Sequence, residues 1–173
     1  MADGLEGARA RRNLIERMGA RIPGIAGYIE REMRREVDKM QRDWLAGQLD
    51  RARQDLAGKI RDWSRSGNLA NLDLASSLDK LLDRFANRIR HADYGHTGYF
   101  DAVKVYEEEL DRLYAFDLAL MERVESIAER VESLPGTASE EELRSVLDAA
   151  EVADRDFDRR ATIYENVTQT GGR

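Results

Sequence analysis

The densest chemistry in this chain lies in one short stretch that holds His91, Asp93, His96 and Asp101. Imidazole and carboxylate are zinc-type ligands, and imidazole is the side chain that titrates near neutrality. The spacing is not that of a recognised zinc motif. It predicts first a tight helix–turn–helix whose polar residues cap helix ends, and second a surface metal or a pH-sensitive contact. The chain has two histidines, both in this stretch, and no cysteine. No Glu-x-x-His pair occurs, so the di-metal site of carboxylate-bridged bundles is not expected. Walker, G-x-G-x-x-G, G-x-S-x-G and His-Glu-x-x-His motifs are also missing. The expectation is a non-enzymatic protein with no catalytic residue, no cofactor and no resident metal.

A second polar residue of interest is Asp117, close to the apolar stripe between Leu113 and Leu120. Facing inward, it needs an arginine or other donors and would fix helix register. A small rotation would leave it at the boundary instead. The run Glu107-Glu108-Glu109 is expected to be a solvated face.

The elements that position these residues follow from apolar spacing at threes and fours. One series runs Val37, Met40, Trp44, then Leu45, Leu49, Ala52, Leu56, Ile60, Trp63. Others run Leu74 to Ile89, Tyr106 to Val131, and Leu143 to Tyr164. The first shifts by one residue at Trp44-Leu45, as a stutter does in a packing seam. The two prolines, Pro23 and Pro135, lie where the pattern stops. The spacing predicts a short helix over Arg9 to Arg21 and long helices over about Gly27–Ser64, Asp73–Ala92, Tyr99–Ser133 and Ser139–Val167. Asp73 and Thr97 are expected N-caps, and Ser139-Glu140-Glu141-Glu142 reads as a capping box. Tyr94, Tyr99 and Phe100 are expected to plug the end of the bundle. The predicted fold class is all-α: an elongated antiparallel bundle of about four helices with coiled-coil character. Residues 1–24 are expected to be a flexible or amphipathic N-terminal segment, 25–168 the bundle and 169–173 a disordered tail.

The 173-residue chain is charge-rich, with a net charge of −6. That argues against nucleic acid as a partner. Without a membrane span or a signal-peptide core, the expected location is the cytoplasm, with the periphery of an inner membrane as a variant. Arg9 to Arg42 is a basic stretch, whereas the later helices are acidic. Residues 9–29 carry Leu14, Ile15, Met18, Ile22, Ile25 and Ile29 beside their arginines. They are expected to fold onto the bundle, to meet another copy or helical protein, or to lie on an anionic membrane. The candidate interaction residues are Arg9, Arg11, Arg12, Leu14 and Met18 in this segment and Trp44, Leu49 and Trp63 on the long helix.

Ile22-Pro23-Gly24-Ile25-Ala26-Gly27-Tyr28, followed by Arg31-Glu32-Met33-Arg34-Arg35-Glu36-Val37-Asp38-Lys39, resembles the start of a group of bacterial all-helical proteins with an I-P-G-x-x-G-Y turn and an R-E-x-R-R-E-x-D-K helix. Ala92-Asp93-Tyr94 and Gly98 to Val105 resemble a later segment of the same group. The resemblance covers about a third of the chain and implies a recurrent bacterial family without implying an activity. A looser likeness is to bacterial membrane-stress coiled-coil proteins. The break at Gly67-Asn68 and the short helix after it depart from their plan. The combined expectation is a self-associating scaffold or adaptor, with a peripheral membrane protein and then a metal-binding bundle as alternatives.

Overall fold

A computed structural model describes residues 2–92 and 107–170, with side chains described for 5–92 and 109–163. Six helices and no strand occur among these residues. They are α1 (Ala2–Arg21), α2 (Ile25–Glu30), α3 (Arg34–Arg65), α4 (Leu72–Arg90), α5 (Glu107–Glu132) and α6 (Glu140–Thr170). The all-helical expectation holds. The number of helices differs from the expected four, mainly because of breaks near the N-terminus.

Helix α1 begins at Ala2 and so takes in residues expected to lack order. It ends before Pro23-Gly24, where Gly24 adopts φ 87°. The helix expected from Gly27 to Ser64 is interrupted at Arg31–Met33. There Met33 N–H donates to Tyr28 O at 2.9 Å and Glu32 N–H to Ile29 O at 3.1 Å. This is a Schellman closure with Glu32 in the left-handed position, φ 57°. Arg31 lies over the Tyr28 ring at 5.1 Å from its centroid. It also donates from Nε to Gly27 O at 2.9 Å. Glutamate is not a helix breaker by composition, and the Glu30/Arg34 spacing looks helical, so the break is invisible in the pattern.

The chain divides into two compact units. One takes the chain up to Trp44, α5 up to Ala119 and α6 from Asp158; the other takes Leu45–Ala92 and Leu120–Phe157. The division on α3 falls where the apolar stripe shifts.

In the second unit α3 and α4 pack side by side. Arg53 of α3 pairs with Asp79 at 3.2 Å and Asp83 at 2.6 Å on α4, and Arg90 pairs back to Asp50. Rising numbers on one helix meet falling numbers on the other, so the pair is antiparallel. The core of this unit includes Leu49, Leu56, Leu78, Leu82, Phe85, Met121, Val124, Leu143 and Phe157. Phe85 and Phe157 meet edge to face at 6.2 Å. The turns are tied together: Lys59 Nζ donates to Leu134 O at 2.8 Å, and Asn71 Nδ2 to Ala138 O at 3.0 Å. Asn71, not Asp73, is the N-cap of α4, and Asp73 lies in its first turn, where its charge suits the helix dipole. The Ser139 capping box is present. Glu142 N–H donates to Ser139 Oγ at 3.1 Å, and Ser139 N–H donates to Glu142 Oε2 at 2.8 Å.

The first unit buries Met18, Ile22, Ile25, Ile29, Val37, Leu110, Leu113, Tyr114 and Leu118. Its core also holds a polar cluster.

Candidate functional site

Four polar residues of the first unit lie almost fully inside the fold: Asp38 (2% exposed), Gln41 (1%), Asp117 (2%) and Arg160 (7%). Asp38 and Gln41 are one turn apart on α3, Asp117 is on α5 and Arg160 on α6. Arg160 Nε donates to Asp117 Oδ1 at 2.6 Å and Nη2 to Oδ2 at 3.2 Å, a two-point contact. Nη2 also reaches Gln41 Oε1 at 3.2 Å, and Nη1 lies 2.7 Å from Asp38 Oδ1. The second oxygen of Asp38 accepts from Arg42 Nε at 2.8 Å. Two carboxylates therefore face two guanidinium groups, and one arginine joins three helices.

Burial pushes the Asp117 carboxyl above its ordinary value, and the negative charge of Asp38 pushes the same way. The charge and hydrogen bonds of Arg160, with a weaker contribution from the Gln41 side chain, oppose that shift. Gln41 Nε2 itself is buried without a hydrogen-bond partner. Burial likewise raises the Tyr114 phenol to about 12. Asp38, Gln41, Asp117 and Arg160 are buried and turned toward one another. The arrangement works as an inter-helix clip; a general acid or base must instead reach a substrate.

The expected contact of Asp117 with an arginine is met by Arg160, which sequence reasoning missed. The signal was present: Leu143, Val146, Ala150, Ala153 and Phe157 lead at threes and fours to position 160. In the second unit two buried carboxylates of α6 take arginines that stay partly exposed. Asp154 takes Arg88 and, at 3.3 Å, Arg84; Asp156 pairs with Arg123.

The candidate interaction residues separate into two groups. Arg9 and Arg12 are exposed, and Leu14 and Trp44 are half-buried. Arg11 pairs with Asp111 of α5 at 3.4 Å. Met18, Leu49 and Trp63 are core residues of the folded chain. The polar stretch is described only at its start: His91 is exposed, with Nδ1 2.8 Å from Asn87 O. Asp93, His96 and Asp101 lie outside the described residues, as do Tyr94, Thr97, Tyr99 and Phe100. Among the described residues no group of three His, Asp or Glu is placed to hold a metal ion. No described helix is long and apolar enough to cross a membrane. Of the acidic run, Glu109 is half-buried with Oε2 shielded and without a hydrogen-bond partner, which departs from the expected solvated face.

Comparison with known proteins finds no matching family, no matching curated protein and no matching solved structure.

Proposed function

We propose that this chain is a non-enzymatic helical interaction protein of the cytoplasm that associates with itself, with another helical protein as the alternative partner. One observation carries the reading. The stretch of α1 from Leu5 to Ala10 is exposed on every side, and Leu5 is 65% exposed. A helix end of this length is marginal in water without a face to pack on. A partner helix supplies that face, as in coiled-coil pairing. The use of buried carboxylates as clips agrees with a structural role for the rest of the fold.

The anionic-membrane reading has less support. It needs the apolar side of residues 9–29 at the surface, whereas Met18, Ile22, Ile25 and Ile29 are buried. Of the residues of the metal-binding reading, Asp93, His96 and Asp101 lie outside the described structure. Size-exclusion chromatography with light scattering tests the proposal. A mass that rises with concentration is expected, and a monomer mass at every concentration would refute it. Leu49→Ala is not a test of the interface, because Leu49 is fully buried within its own chain.

A further inference from the structure

Two exposed helical stripes in this molecule carry complementary charge in matching register. On α1, Leu5, Arg9, Arg12 and Glu16 are exposed and follow one another at spacings of four, three and four. At 3.6 residues per turn they fall within about 60° of arc, a single face. On α6, read in the reverse direction, Arg155, Glu151, Asp148 and Arg144 are also exposed and have the same spacings. Laid antiparallel, Arg9 meets Glu151, Arg12 meets Asp148 and Glu16 meets Arg144, which Glu140 of its own helix also holds at 2.7 Å. Leu5 then lies against the methylene stem of Arg155 and beside Val152, which is 41% exposed. Leu5 and Val152 are two of the three large apolar side chains exposed among the described residues, the other being Leu69.

We propose that the α1 stripe of one copy docks antiparallel on the α6 stripe of a second copy. This rests on the self-association reading and specifies its surface. The charge pattern selects the partner surface but reads the same in both directions: in parallel alignment with Leu5 at Arg144, Arg9 faces Asp148, Arg12 faces Glu151 and Glu16 faces Arg155. Direction is set by the apolar pair, because the antiparallel alignment alone places Leu5 beside Val152. Exposed ion pairs are individually weak and screened within about 8 Å at physiological salt, so the contact is salt-sensitive and depends on several pairs acting together. It joins two different surfaces, so a copy bound through α1 still presents its own α6 stripe.

The test is sedimentation velocity of the full chain at low and high salt, with two charge-reversed variants. Arg9→Glu/Arg12→Glu alters α1 and Asp148→Arg/Glu151→Arg alters α6; all four positions are exposed, and circular dichroism checks that the helices persist. Each variant alone is expected to associate about tenfold more weakly than the native chain. An equimolar mixture of the two is expected to regain association, because the reversed stripes again match between copies. Native association that neither variant weakens would overturn the stripe and leave self-association standing. A native chain that stays monomeric would overturn both. Flotation of a monomeric native chain with phosphatidylserine vesicles, abolished by Arg9→Glu/Arg12→Glu, would assign the basic face to a membrane and also overturn the proposal.

Discussion

The two units solve the same packing problem differently. The second closes around an apolar core that holds Phe85 against Phe157, with partly exposed ion pairs such as Arg53 with Asp79 and Asp83. The first places a two-point Arg160–Asp117 pair, with Asp38 and Gln41, inside its core. An apolar core tolerates several registers of comparable energy. A buried charge does not, because one misplaced partner leaves an unpaired ion. The contrast teaches that burial drives folding in one unit, whereas in the other part of that drive is given up to define how three helices align.

Arg160→Ala has the largest expected effect: it strands Asp117 inside the fold, leaves Asp38 with Arg42 alone and costs about 3–5 kcal/mol in urea unfolding. Replacing Arg160 and Asp117 together by Met and Leu is expected to cost less than Arg160→Ala alone, since Asp38 keeps Arg42. Equal losses would mean that the pair is not the source of the effect. Leu49→Ala in the second unit creates a cavity and costs about 3 kcal/mol, with no dependence on pH. Glu32→Gly relieves a left-handed glutamate and is expected to raise stability by about 1 kcal/mol. A loss on that change would show that the Glu32 side chain is needed. Ser139→Ala removes the cap of α6 and costs about 1 kcal/mol.

Acid separates the units further. The Asp117 pKa is raised above its ordinary 3.8, so the folded state holds the proton more tightly. Its contribution is full below 3.8 and fades as pH rises through the raised value. Glu142 behaves oppositely: hydrogen bonds from Ser139 lower its pKa below 4.5. Its contribution is present above 4.5 and fades as pH falls through the lowered value. Stability measured against pH for Asp117→Asn and Glu142→Gln, each relative to the native chain, is expected to show differences of opposite slope. Slopes of the same sign would contradict the contrast.

Much of the fold is legible in the sequence. The stripes of α4 and α6 are written in apolar spacing, and Ser139-Glu140-Glu141-Glu142 marks a helix start by side-chain chemistry alone. The one-residue shift at Trp44-Leu45 marks the division of α3 between units. The break at Glu32 was not legible, because a Schellman closure depends on backbone torsion and needs no glycine. The polar cluster was half legible. Asp117 on a stripe calls for a cation, but nothing local pairs it with a residue 43 positions away. Interaction residues were hardest to read. Trp63 and Leu49 look like a seam for a partner and are core, since periodicity reports that a face is covered and not by which chain.

The most direct measurement is sedimentation velocity of the native chain from nanomolar to high micromolar concentration at low salt. A self-associating chain shows a sedimentation coefficient that rises with concentration and falls back when salt is added. A single monomeric boundary across the whole range would contradict self-association.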